Sequence, residues 1–324
     1  MKTKLTSLLI TSSLMAACSG GGGSSAGTAN DTSTAIDIKD AIFNERSADC
    51  ATYANTYTAA VVDITRSMGF TEAVSITSTD SDCSLTSNNI PNHDFNDNSA
   101  NFHDAVAEVN QSFTIPRSPA IAGSATQLSQ TQYNAIMLNG VPLDILSAGC
   151  YKPTDAGADA DGNVQIGCND NSAWLLDPLG TTSKFGADAH NAHTQPNGSY
   201  HYHGNPVAMF DDNPGPNGSP VIGFAADGFP IYGSYFLDQN TGSVRKALSG
   251  YTLKTGSRVT IGGLNPGGTY DGTYNDDWEH LGATGDLDEC NGMTVDGQYG
   301  YYVTEAFPWV MRCLAGTADS SFNK

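Results

Sequence analysis

Two dipeptides constrain this chain most: Asn139-Gly140 and Asp227-Gly228, each set between short apolar runs. The first joins 133–138 to 141–146, and the second joins 221–226 to 229–232. Asn-Gly and Asp-Gly suit tight hairpin turns because both central residues take positive φ, so two β-hairpins are predicted. Val109, Gln111, Phe113 and Ile115 alternate with smaller or polar residues before Pro116, as a strand does. Tyr299 to Val303 is the last strand candidate, and Gly300 inside it suggests a bulge. One stretch reads differently. Tyr53, Tyr57, Val61, Ile64 and Met68 are spaced by 4, 4, 3 and 4, which predicts one face of a helix over 50–70, closed by Gly69. Long Gly/Pro/Asn loops fill 151–172, 186–220 and 262–298, and loops of that length are usually functional or metal-stabilised. The expected fold is mainly β with long loops and a short N-terminal helical segment, without an internal repeat.

The first residues carry an address. Lys2 and Lys4 precede a mostly apolar run from Leu5 to Leu14, and Met15-Ala16-Ala17-Cys18 follows. Charged start, apolar core and small residues before a cut describe a secretory signal over 1–17. The apolar run is too short for a bilayer span, which needs about 20 residues. Small residues directly before Cys18 resemble a bacterial lipobox, with Met15 where leucine is usual. The expectation is a lipidated Cys18 and membrane attachment through acyl chains; ordinary cleavage with Cys18 a bystander is the plainer alternative. Residues up to 35 are rich in Gly, Ser and Thr and read as a flexible tether. Ser19, where inner-membrane lipoproteins often carry Asp, points to the outer membrane or cell surface.

Beyond Cys18 there are six cysteines, Cys50, Cys83, Cys150, Cys168, Cys290 and Cys313, an even number that suits disulfides in an exported chain. Sequence cannot choose among the pairings; nearest-neighbour pairing is the one expected here. With 34 acidic against 14 basic residues and a formal charge of −20, a nucleic-acid duplex would be repelled. Yet only 15% of residues are charged and 39% are apolar, which fits a folded, turn-rich chain. Protein partners are not legible.

Four of the 7 histidines fall between His190 and Gly204, in HNAHTQPNGSYHYHG. In a strand, His201 and His203 share a face and Tyr200 and Tyr202 share the other. Pro196-Asn197-Gly198 offers a turn that folds His193 back toward the pair. Three neutral imidazoles meeting at one point would hold a transition metal, copper or zinc in the absence of a free thiolate. The plainer alternative is a strand whose histidines only hydrogen-bond.

The string from Asn191 to Gly204 resembles the signature of the YHYH-domain family, named for its Tyr-His-Tyr-His. Asn89-Ile90-Pro91-Asn92-His93, Asn139-Gly140-Val141, Asp227 to Gly233 and Leu287 to Gly292 resemble further family motifs, in order. The resemblance spans about residues 85–315 and implies an extracytoplasmic, β-rich domain without bringing an activity. The layout expected is a signal over 1–17, lipidated Cys and tether over 18–35, an extension over 36–84 that is either separate or packed on the rest, the YHYH domain over 85–316 and a tail over 317–324. His93, in a Pro-Asn-His turn, is a candidate fourth ligand; His103, His190 and His280 read as loop residues.

Other patterns are weaker. Asp159-Ala160-Asp161-Gly162-Asn163 resembles part of a calcium loop, but Gly157 stands at the first ligand place and the closing Glu is missing. Asp288 and Glu289 are candidate general bases for a metal-bound water, and Asp227 suits a turn better. A P-loop and a dinucleotide fingerprint are both missing from the sequence. Three function classes stay open: a lipid-anchored metal-binding protein, a metal-dependent enzyme (zinc hydrolase or copper redox enzyme), and a surface interaction module without metal.

Overall fold

The computed structural model describes residues 34–180, 184–282 and 284–324. The signal segment, Cys18 and the tether as far as residue 33 lie outside the described residues. Two sheets carry the fold. The first contains β1 (Ile36–Asp37), β2 (Asn55–Asp63), β3 (Met68–Ser78), β4 (Asp82–Ser87) and β5 (Gln111–Pro116), in that order. β1 runs parallel to β2, and the remaining pairs are antiparallel. Residues 84 and 85 both lie inside β4.

The helix expected over 50–70 is not there. A short 3-10 turn, Cys50–Tyr53, leads into the β2–β3 hairpin. The physical reason lies in the spacing. Four residues is close to one helical turn, but it is also an even number, so Tyr57 and Val61 share a strand face equally well. The residues between them decide: Ala59, Val61 and Asp63 are buried while Ala60 and Val62 are exposed, a period of two. Ile64 falls in the turn, where Ser67 has φ 51°, and Gly69 pairs with Val62 instead of closing a helix. Among the described residues the only helical turns are short 3-10 pieces, the others being Asn275–Asp277 and Ser320–Phe322.

The second sheet is built from β6 (Ala135–Met137), β7 (Pro142–Leu143), β8 (Ala192–Thr194), β9 (Tyr200–Tyr202), β10 (Val221–Ala225), β11 (Pro230–Tyr232), β12 (Gly292–Val295) and β13 (Gln298–Tyr302). Its order is β8-β9-β7-β6-β10-β11-β13-β12. Both expected hairpins form, but their turns differ from the expectation. Gly140 has φ 74° and Gly228 φ 87°, while Asn139 and Asp227 keep negative φ. In each, the glycine N–H closes a tight turn, to the carbonyl of Met137 or of Ala225, and the strands resume one residue later. That is a three-residue loop whose last residue is left-handed. In this sheet, positive φ at both turn positions is found at Asp296-Gly297, between β12 and β13.

Gly300 marks no bulge: β12 and β13 pair in regular register through it. A Cβ there would stand 2.5 Å from the Tyr232 ring, so glycine permits close approach of β11. The register shift lies in β10, between Val221 and Gly223.

One apolar core joins the sheets, with Val61, Val74, Leu85 and Phe113 from the first and Tyr200, Tyr202, Phe224 and Tyr301 from the second. Ser87 Oγ on β4 donates to the Gly140 carbonyl at 2.6 Å, a polar tie between the layers. Disulfides join Cys50 to Cys83, Cys150 to Cys168 and Cys290 to Cys313. They span separations of 33, 18 and 23 residues; closing loops of this size stabilises by about 3 kcal/mol each in the chain-entropy account. No helix among the described residues is long and apolar enough to cross a membrane.

Candidate metal centre

The histidine-bearing hairpin repeats the turn seen twice above. Pro196-Asn197-Gly198 forms the loop, Gly198 has φ 84°, its N–H donates to the Gln195 carbonyl at 2.8 Å, and Gln195 N–H donates to Ser199. A Cβ on Gly198 would stand 2.7 Å from Ala107, so the turn needs glycine for space as well as for φ. The loop sets β8 against β9 with His193 opposite His201. His203 follows β9 and donates its N–H to the Asn191 carbonyl at 2.8 Å, which keeps it in line.

Three imidazoles therefore meet. His201 Nε2 lies 3.1 Å from His203 Nε2, and His203 Nε2 lies 2.9 Å from His193 Nε2. All three ligand atoms fall within 4.8 Å of one another. Tetrahedral ligands at 2.0–2.1 Å from one ion stand about 3.3 Å apart, so the spacing suits a shared ion.

The outer nitrogens set the protonation. His193 Nδ1 faces the Phe185 carbonyl at 3.0 Å, and His201 Nδ1 faces the Ser199 carbonyl at 3.4 Å. A carbonyl only accepts, so each ring carries its proton on Nδ1 and turns the Nε2 lone pair inward. His203 Nδ1 is buried without a hydrogen bond of good geometry, and the Ile145 carbonyl is the backbone group that favours its proton. Burial pushes all three imidazoles toward the neutral form, strongly for His201 and His203, where neighbouring imidazoles add to it. Neutral imidazoles with lone pairs pointed at one another repel unless a cation lies among them. This donor set can hold a metal ion.

The opposite face of β9 is closed. Tyr202 donates to His93 Nε2 at 2.7 Å and accepts from Asn139 Nδ2 at 2.9 Å. His93 Nδ1 in turn donates to the Asp94 carbonyl at 2.9 Å, and Tyr200 donates to Asp188 at 2.8 Å. His93 is therefore not with the three others. Its partner Tyr202 points away from them, as alternate strand residues must, and both its nitrogens are engaged. His190 stacks on His93 with ring centroids 3.5 Å apart. Exposed His103 pairs with Asp104, and His280 faces the Leu287 carbonyl.

The candidate bases are also elsewhere. Asp288 and Glu289 lie in the turn that leads into β12, the edge strand opposite β8. Six strand spacings separate β9 from β12, about 29 Å counted along the sheet. Asp288 instead accepts from the backbone of Cys290 and Gly292 and from Tyr299. Asp227 holds its own turn, accepting from Tyr301 at 2.6 Å and from Gly316 N–H. In the calcium-like loop, Asp159 accepts from the N–H groups of Asp161 and Asn163 and pairs with Lys184 at 2.8 Å. Its oxygens serve a turn and an ammonium, so the loop is not arranged around calcium.

A carboxylate that sequence reading missed does join the centre. Parallel pairing sets Leu143 on β7 beside Tyr202, which puts Asp144 on the imidazole face. Asp144 N–H donates to the Tyr202 carbonyl at 2.9 Å. Gln195, two residues past His193, reaches over β9 to Asp144 Oδ2 at 2.8 Å, and Lys324 Nζ pairs with the same oxygen. Burial raises the Asp144 carboxyl, while Lys324 and Gln195 oppose that rise. Asp144 lies outside the 4.8 Å cluster of ligand atoms. Beside the centre runs a cleft of about 450 Å³, whose wall includes Asp177, Lys184, Phe185 and Arg258. The Phe185 ring edge also rests on His193, at 6.0 Å between centroids.

A family model described as YHYH protein matches residues 112–316. No curated protein and no solved structure matches the chain.

Proposed function

The chain belongs to the YHYH protein family, and on that premise we propose that it is an exported, lipid-anchored protein holding one copper or zinc ion on His193, His201 and His203. The observation that carries this reading is the convergence of three Nε2 atoms at 2.9 and 3.1 Å while two of the three outer nitrogens face backbone carbonyls. A core histidine serving only as a hydrogen-bond partner would meet a donor or acceptor of another kind, as His93 does. Three imidazoles satisfy three of the four positions zinc takes, and copper accepts the same nitrogens. Export is supported by the signal-like residues 1–17 and by three disulfides, which persist in oxidising compartments. Attachment rests on Cys18 after small residues; the outer membrane or cell surface follows from Ser19.

Elemental analysis of untagged exported protein tests the centre. About one equivalent of copper or zinc is expected, lost in the His201→Ala/His203→Ala double variant with its disulfides intact. Metal-free wild-type protein that takes up neither ion would end the reading. Anchoring is tested separately: Cys18→Ser is expected to move the protein from the membrane to the soluble exported fraction, and unchanged membrane association would refute it. Metal-dependent catalysis is a second reading, favoured by a buried carboxylate, Asp144, on the imidazole face.

A further inference from the structure

Asp144 leaves one oxygen unexplained. It is 2% exposed, its Oδ2 takes both Gln195 and Lys324, and its Oδ1 is buried without a hydrogen-bond partner among the described residues. An unpaired buried carboxylate oxygen is costly, and native proteins rarely keep one without a use for it. The register places this oxygen on the face that carries the three imidazoles, and Gln195, just past the strand that carries His193, holds the carboxylate there. Lys324 stands close enough to act electrostatically on both His201 and His203.

The geometry points to Asp144 Oδ1 as the acceptor for a neutral hydrogen-bond donor (water, or the hydroxyl or amide N–H of a substrate) bound at the ion held by the three histidines, with the Asp144 carboxylate turning anions away and Lys324 drawing them in. The inference rests on the metal centre proposed above. Three neutral imidazoles bring no charge, so a divalent ion among them keeps its full attraction for anions. The Asp144 carboxylate offsets that attraction and also balances the Lys324 ammonium. Without its charge, the ion and the ammonium would face an incoming anion together. Asp144 acts on the bound ligand and is not itself a ligand, since it lies outside the cluster of converging nitrogens.

Azide, an anion without a hydrogen to donate, is the probe. The full chain is loaded with Cu2+ and titrated with azide, following the azide-to-copper charge-transfer absorption. Asp144→Asn is expected to keep one copper per chain and bind azide about tenfold more tightly. Lys324→Met is expected to keep copper and bind azide about threefold more weakly. Unchanged azide affinity in a folded Asp144→Asn protein overturns the inference; so does loss of copper from it, which would make Asp144 a ligand. If Asp144→Asn does not fold, Lys324→Met decides alone, and unchanged affinity there overturns the inference. Wild-type protein that takes up no copper or zinc fails at the earlier step, and that outcome is distinct from a copper-loaded protein whose variants leave azide binding unchanged.

Discussion

The two faces of β9 are equally buried and differ in whether their polar atoms are already answered. Tyr200 and Tyr202 are 0% exposed, His201 2% and His203 3%. On the tyrosine face, hydroxyls meet His93, Asn139 and Asp188, and each donor finds an acceptor. On the histidine face, the three Nε2 atoms meet one another and no group of another kind. The tyrosine face also has its histidines, His93 and stacked His190, so a count of imidazoles does not identify a centre. Convergence of three Nε2 atoms, two of them on rings whose opposite nitrogens face carbonyls, does.

Single substitutions on either side sharpen the contrast most. His203→Ala is expected to weaken copper or zinc binding by about 1000-fold, or about 4 kcal/mol, in competition titrations. His93→Ala should leave the metal affinity within a few-fold of wild type while lowering the unfolding midpoint. If His93→Ala released the ion as readily as His203→Ala, the division between the faces would be wrong.

Glu72 is the exception on the tyrosine side. It is fully buried on β3, neither carboxylate oxygen has a hydrogen-bond partner among the described residues, and it bears electrostatically on Tyr202. Burial pushes its carboxyl up to about 9 from 4.5, with Asp37 adding a smaller push. The folded state thus holds a proton that the unfolded chain gives up. The stability tied to that proton is complete below about pH 4.5 and lost progressively as pH rises toward about 9. Glu72→Gln has no proton to lose. Its unfolding free energy should match wild type near pH 4.5 and exceed it by about 3 kcal/mol at pH 7, rising further to pH 8. Denaturant melts across that range check it, and a gap that does not change with pH would show that Glu72 is ionised in the fold.

The histidine hairpin was legible because its rules are local. Alternation puts His201 and His203 together, and Pro-Asn-Gly folds His193 back onto them. The β2–β3 hairpin was misread because Tyr57 and Val61 satisfy both periods; the deciding pattern, Ala59 in and Ala60 out, is carried by small residues with little hydrophobic contrast. Asp144 was missed for a different reason. Its place depends on β7 pairing in parallel with β9, across about 60 residues of chain, and spacing along a sequence does not encode register between distant strands. His93 erred in the same way: its motif was visible, and the face it meets was not.

The smallest contrast lies within the tyrosine face itself. Tyr202→Phe removes the donor to His93 Nε2 and the acceptor for Asn139 Nδ2, leaving two buried groups short of a partner. Asn139 keeps its bond to Asn92, but His93 Nε2 has no second bond of that kind to fall back on. Tyr200→Phe removes one donor from Asp188, whose carboxylate still accepts from the N–H groups of Asn96, His190 and Ala192. Tyr202→Phe should therefore cost about 2 kcal/mol of stability and Tyr200→Phe about 1 kcal/mol, read from denaturant midpoints. Neither change touches the converging nitrogens, so metal affinity should stay at the wild-type value in both. A loss of metal affinity in Tyr202→Phe would mean that the His93 network holds the imidazoles in place through the strand, and the two faces would then have to be treated as one site.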